Sequence, residues 1–466
     1  MIPIEYFEGV KTIMAAQILA ICIFVGMFLL IILDKFERYY ITLASGALVL
    51  VLVFGVCMHS MSAIWGTLNL PSIFTSGFWY GASEEGNSGI NWSTIFFIAG
   101  MMIMVEGLGK AGFFRWLCLT LAKLVRYRIV PLLVCFMVLS AVLSMFIDSI
   151  TVVLFLATVT LELAQTMKFN PIPMILSEVF CANLGGAATM CGDPPNIIVG
   201  TSLGYTFFDF ISNTGVAVAI CFVLVLIYFV LCFRKRLLRD EKNSGAAVCP
   251  QPGTAITNRP AFLLSAGVFL LAVILLATHA QTKLTVACIG VIVAALSLVV
   301  IGCTSGGKAV LEIIKGVDYK TLLFFIGLFV SVAGLKETGV LDVIARFITT
   351  VSGGNAAIIV VIILWISAVT SAFVDNIPFA ATMIPVVRSI AAASGIDMGV
   401  LAWALSLGTD LGGNATPIGA SANVVGTSVA AKGGYPISWG VYCKYCVGAT
   451  VLVIAVSMGY LFLRYL

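Results

Sequence analysis

Apolar residues run along this chain in long blocks, and polar positions fall at block ends or at places where a block is interrupted. Blocks at 13–33, 40–57 and 92–108 approach or exceed the roughly 20 apolar residues a helix needs to cross a bilayer. The first lacks a small-residue cleavage site and is read as a retained span. A polar connection at 58–91, carrying Glu84 and Glu85, separates the second block from the third. Next, 110–128 mixes Lys110, Arg115, Lys123, Arg126 and Arg128 with Phe113, Trp116 and Leu117, the pattern of a helix lying along a membrane surface. Two apolar arms, 129–147 and 149–166, meet at Asp148. An interrupted segment at 171–203 and a span at 212–233 follow, and then the most polar stretch of the chain, 234–259.

The interruption reads NLGGAATMCGDPPNIIVG from Asn183 to Gly200. Gly185, Gly186 and Gly192 loosen the backbone, and Pro194 and Pro195 remove amide donors, so a helix entering here breaks. Non-helical backbone at membrane depth is tolerated only inside protein or against a water-filled cavity.

The second half repeats the first at an offset of 227 residues. Gly107, Leu108 and Gly112 return as Gly334, Leu335 and Gly339, and Ser144, Phe146, Asp148 and Ile150 return as Ser371, Phe373, Asp375 and Ile377. The break itself returns as DLGGNATPIGASAN, with Pro417 as its helix breaker. The predicted organisation is therefore a first repeat over 1–233, a cytoplasmic linker over 234–259 and a second repeat over 260–466. Each repeat holds five spans, one of them broken, and one hairpin with Asp148 or Asp375 at its tip. An odd number of spans puts the copies in opposite orientations, so the predicted fold is an all-α polytopic membrane protein built from two inverted-topology repeats. Hydropathy alone could take the hairpin arms for full spans. They are read as re-entrant, because FIDSIT and FVDNIP would otherwise leave an aspartate at a surface turn without the usual turn residues.

Composition agrees: of 466 residues 61% are hydrophobic and 10% charged. The 25 Lys and Arg lie on the predicted cytoplasmic side except Lys11, Lys283, Lys336, Arg346, Arg388 and Arg464, which places both termini outside a cell membrane. The net charge of +4 is spread around the spans and suggests no nucleic-acid partner. The 13 cysteines are scattered through apolar segments, and the Cys443–Cys446 pair lacks the second pair or histidines of a metal site.

Four carboxylates fall on the repeated elements: Asp148 and Asp375 at the hairpin tips, Asp193 and Asp410 in or beside the breaks. Ionised side chains at mid-membrane are costly and mark ion pathways. Glu106, Glu162 and Glu178 have no acidic counterparts and are read as structural. Ser149, Asn376, Asn183, Thr189, Asn196, Asn414, Thr416, Ser421 and Asn423 add side-chain oxygens of the kind hard cations bind, although any one of them could equally cap a helix end. Sodium is expected at Asp148, Asn183, Asp375 and Asn414. Half-helices starting at Ser149, Asn196, Asn376 and Asn423 would aim positive dipole ends at the same centre.

The motifs GGAATMCGDPPNIIVG, FVDNIPFAATMIPVV and LGGNATPIGASANVVG resemble signatures of the ion transporter superfamily, in the branch of arsenite permeases, NhaD-type antiporters and the melanosomal P protein, with its citrate transporter-like domain. The likeness runs from Trp92 onward. It implies a scaffold part and a moving transport part, and a homodimer formed through the scaffold. Related dicarboxylate transporters carry Ser-Asn-Thr at their hairpin tips, where this chain has Asp148-Ser149 and Asp375-Asn376. Acids there repel a dianion unless sodium neutralises them. The expectation is therefore a secondary transporter, with no cofactor and a sodium or proton coupling ion, that moves a small anion or metalloid. A sodium/proton antiporter is the alternative, and a sodium-coupled carboxylate transporter or a channel ranks lower. An aspartyl enzyme is set aside because the acids occur once in each copy.

Overall fold

A computed structural model describes residues 4–33, 35–81, 89–243 and 250–466, with no side-chain detail for 4–13 and 242–243. Glu84, Glu85 and the middle of the expected linker lie outside the described residues. The regular secondary structure of the described residues is helical apart from one isolated bridge between Tyr80 and Leu284. The first copy comprises α1 (Ile4–Leu33), α2 (Arg38–Cys57), α3 (Trp92–Lys110), α4 (Phe113–Leu124), α5 (Ile129–Ser144), α6 (Ser149–Met167), α7 (Ile172–Gly186), α8 (Pro194–Leu203) and α9 (Phe207–Glu241). The second comprises α10 (Arg259–Thr282), α11 (Val286–Ser305), α12 (Gly307–Gly316), α13 (Tyr319–Glu337), α14 (Val340–Val351), α15 (Ala356–Ser371), α16 (Asn376–Ser394), α17 (Met398–Gly412), α18 (Ser421–Lys432) and α19 (Trp439–Tyr465).

From α3 to α6 the 227-residue offset reproduces both ends of every helix. The local causes repeat as well. Asn91 caps α3 by accepting from the Thr94 amide at 3.1 Å, and Asp318 caps α13 by accepting from Thr321 at 3.2 Å. Gly112 and Gly339, at φ 84° and 76°, turn the chain from the span into the amphipathic helix in a left-handed conformation that suits glycine.

Ten described helices are long and apolar enough to cross a membrane. They include α6 and α16, the second arms of the hairpins, and leave out α7, α8, α17 and α18, because the breaks divide those crossings into pieces too short to count singly. The hairpin tips nevertheless end inside the protein, with Ser149, Asp375 and Asn376 all buried. The last span of the first copy continues as helix to Asn243, so the basic run at 234–239 extends that span helically, and the connection to the second copy begins beyond it.

Small residues set the packing. The second span of each copy crosses the third span of the other: α11 lies against α3 where Gly100 meets Gly290, and α2 lies against α13 where Gly327 meets Thr42. A Cβ added at Gly100 would stand 2.2 Å from the Gly290 carbonyl oxygen, and one at Gly327 2.3 Å from the Thr42 carbonyl carbon. Gly100 and Gly327 are themselves 227 residues apart, so the two crossings form a reciprocal pair. Within each copy the first hairpin arm packs on the first half of the broken helix, α5 on α7 and α15 on α17.

Candidate ion and substrate site

The freed carbonyls at each break are answered by the same residues. Asn196 donates its side-chain amide to the Gly186 and Thr189 carbonyls, both at 3.1 Å, and Asn423 donates to those of Gly413 and Thr416, both at 2.8 Å. The Thr189 hydroxyl bonds the Met145 carbonyl at the end of the first hairpin's first arm, and the Thr416 hydroxyl bonds that of Ala372. These four residues spend their donors holding the breaks closed and against the hairpins, as buried backbone polar groups require.

The breaks also touch each other. Asn183 donates to Asn414 Oδ1 at 2.9 Å and to Asn423 Oδ1 at 2.7 Å, while Ser406 bonds Asn196 Oδ1 from the opposite copy. Asn183 corresponds to Asp410 at the repeat offset, so the paired positions carry an amide in one copy and an acid in the other.

The four carboxylates differ in their surroundings. Asp148 caps α6, accepting from the Thr151 amide and hydroxyl, each at 2.8 Å. Asp193 accepts from Ser149 Oγ at 2.6 Å through Oδ1, and its Oδ2 is buried without a partner. Asp375 caps α16 and accepts from Arg38 Nη1 at 2.7 Å and Ser421 Oγ at 2.9 Å, both through Oδ2. Asp410 is buried with neither oxygen in a hydrogen bond of ordinary geometry, beside the amides of Asn196 and Asn376.

All thirteen residues singled out in the sequence lie on the tips and breaks just described. Of the four expected to hold sodium, Asn183 and Asn414 meet directly, and Asp375 is paired with Arg38. A cavity of about 510 Å³ reaches Asp148, Asp375 and Ser421 from a mouth bearing Lys35, Glu37, Asp318 and Lys320. A second, of about 820 Å³, is lined by Lys336, Asp342, Arg388 and Ser202 and reaches Met190 and Ile198; Asp410 lines neither cavity. Glu162 pairs with Arg115 at 2.6 Å away from the site, and Glu178 accepts from Thr160 at 2.5 Å. Sequence reasoning missed Arg38, Thr151 and Ser406. Arg38 begins a span and reads as one more flanking basic residue. Ser406 lies one turn before Asp410 in an apolar run, and only the repeat-to-repeat contact reveals its role.

The profile of the citrate transporter family, CitMHS, matches residues 28–408. The chain belongs to this citrate transporter family. An uncharacterized transporter of Mycobacterium bovis is 33% identical over 451 residues, covering 96% of this chain and 99% of the relative. The human P protein is 27% identical over 453 residues, covering 80% of this chain and 53% of its own length. Two solved structures share the fold: the YdaH transporter of Alcanivorax borkumensis, with TM-score 0.53, 15% identity and coverage of 79% of this chain and 84% of that one, and MtrF of Neisseria gonorrhoeae, with TM-score 0.55, 12% identity and coverage of 85% and 84%. The chain is thus a multi-pass membrane transporter, and its membership of the citrate transporter family sharpens the question its acids pose. A family named for a tricarboxylate here carries four carboxylates at the junction of its repeats.

Proposed function

We propose that the chain is a secondary active transporter that couples a proton or sodium gradient to movement of a small inorganic or organic anion or a metalloid across the cell membrane by alternating access, in the manner of the arsenite permeases. One observation carries this reading: four carboxylates gather on the hairpin tips and breaks where the repeats meet, Asp193 Oδ2 and both oxygens of Asp410 are buried without a partner, and Arg38 is the one basic side chain bonded to any of the four among the described residues. Like charges gathered where little water reaches repel one another more strongly than in water. Protons or sodium ions relieve that repulsion, and their arrival and departure supply the coupling. A free di- or tricarboxylate adds to the repulsion and enters only with cations that neutralise the cluster. The distribution of basic residues supports extracytoplasmic termini, with the 510 Å³ cavity opening to the cytoplasm.

A second reading, sodium/proton antiport, rests on a separate observation. Among the described residues, the acids and the break asparagines leave the acceptors Asn183 Oδ1, Asp193 Oδ2 and both oxygens of Asp410 without a partner, against one amide donor, Asn414 Nδ2. Such a set suits a cation as the cargo itself. Purified protein in proteoliposomes, offered arsenite, phosphate, citrate, sodium and lithium under imposed proton and sodium gradients, separates the two. Metalloid or anion uptake driven by either cation gradient supports the first reading, sodium- or lithium-dependent proton movement without such uptake supports the second, and unitary channel currents would sink both.

A further inference from the structure

The two hairpin tips carry equivalent acids that are neutralised in different ways. Asp148 is satisfied within its own copy by Thr151, and it borders the 510 Å³ cavity. Asp375 is buried and receives a guanidinium from the other copy: Arg38, the first residue of α2, bonds its Oδ2 at 2.7 Å. The helix that carries Arg38 is packed by backbone contact along α13, where Gly327 meets Thr42, so the arginine is fixed to a rigid neighbour. Asp375 lies instead on a hairpin and is tied through the same oxygen to Ser421, at the start of the half-helix α18. One carboxylate oxygen thus joins three elements that must move relative to one another if the hairpin is to leave this cavity. Ion pairs that take a carboxylate out of water are poor sources of stability, because desolvation offsets their attraction, and their best-attested use is to select one arrangement over another; here Asp375 is buried while the Arg38 side chain stays 33% exposed.

We infer that Arg38 is a tethered counter-cation: it holds the second hairpin against α2 in this conformation and competes with the transported or coupling cation for Asp375. A sodium ion at Asp375 would stand beside a guanidinium, so the ion binds well only after Arg38 has swung away, and departure of Arg38 frees the hairpin. Cation binding and release of the hairpin are then one event. The inference rests on the cation-coupled reading above for the identity of the competitor, but not for the latch itself.

Two measurements on the full-length protein test the halves separately. In sodium-free buffer at fixed pH, hydrogen–deuterium exchange should rise in peptides covering 372–378 and 35–42 of Arg38→Gln and stay near wild type in Arg38→Lys. The double variant Arg38→Gln/Asp375→Asn should exchange like Asp375→Asn alone. Unchanged exchange at 372–378, or an equal rise in every helix, overturns the latch. Radioactive sodium binding should tighten in Arg38→Gln, by about tenfold if the pair blocks the site nine-tenths of the time. A merely structural arginine would give weaker binding on removal, and that result overturns the competition. Absence of sodium binding in both wild type and variant speaks against sodium as the competitor and leaves the exchange experiment to decide the latch.

Discussion

Asn183 of the first break donates its side-chain amide to Asn423 of the second at 2.7 Å, and to Asn414 of the same break at 2.9 Å, so one buried amide ties the two copies together at their centre. Replacing it by leucine leaves two buried acceptors without donors, at about 1–3 kcal/mol each. Asn183→Leu should therefore lower the unfolding temperature of the purified protein clearly, and Asn183→Asp should lower it as well, by removing the donor and adding a fifth acid. A wild-type melting curve for Asn183→Leu would show that the amide is not a tie.

The hairpin and the broken helix approach each other at glycines. A Cβ at Gly185 would stand 2.1 Å from the Ala141 carbonyl oxygen, and one at the equivalent Gly412 would stand 2.3 Å from Ala368 Cα. Because backbone cannot yield as a side-chain end can, Gly185→Ala and Gly412→Ala should each cost about 1–3 kcal/mol or more through overpacking. Gly267→Ala and Gly459→Ala meet nothing within 4 Å on their helices and should gain about 0.5–1 kcal/mol from helix propensity. Thermal unfolding of the four variants checks the contrast, and equal behaviour would refute it.

The repeat, the breaks and the hairpins were legible because each depends on residues with strong local consequences: Gly112 and Gly339 at left-handed turns, Asp148 and Asp375 as helix caps, and Pro194, Pro195 and Pro417 at the breaks. The offset between copies also exposed the acids as positions of interest. Partner choice was not legible. Asp375 differs from Asp148 through Arg38, which lies 337 residues away along the chain, and nothing in local pattern couples the start of α2 to a hairpin in the other copy. The oxygens of Asn196 and Thr189 looked like ligands in the sequence, yet the fold uses the donors of both residues to hold the break. Amide and hydroxyl groups serve either purpose equally well until the neighbouring carbonyls are placed.

Asp410 offers a separation of stability from transport. Its carboxylate is buried without a hydrogen bond of ordinary geometry, and the first copy carries Asn183 at the same position. Removing an uncompensated buried charge is neutral or favourable for folding. Asp410→Asn should thus melt at or above the wild-type temperature while losing cation-dependent flux in proteoliposomes. Wild-type flux in this variant would remove Asp410 from the coupling path, and a marked drop in melting temperature would assign it a structural role.

Gly112 and Gly339 occupy equivalent positions at φ 84° and 76°, but their surroundings differ. The connection between the copies returns to α4: Tyr127 donates to the Pro250 carbonyl at 2.6 Å, Pro252–Ala255 forms a short helical turn on that face, and a Cβ at Gly112 would stand 2.0 Å from the Ala255 carbonyl oxygen. At Gly339 the nearest atom to such a Cβ is Gln17 Nε2, at 3.8 Å. Both alanine substitutions incur the left-handed strain of about 1–2 kcal/mol. Only Gly112→Ala must also push the connecting segment off α4. It should therefore unfold at a lower temperature than Gly339→Ala, and limited proteolysis should cut it faster near 250–256, whereas Gly339→Ala should keep the wild-type cleavage rate there. Equal rates in the two variants would mean that the segment does not depend on its seat against Gly112.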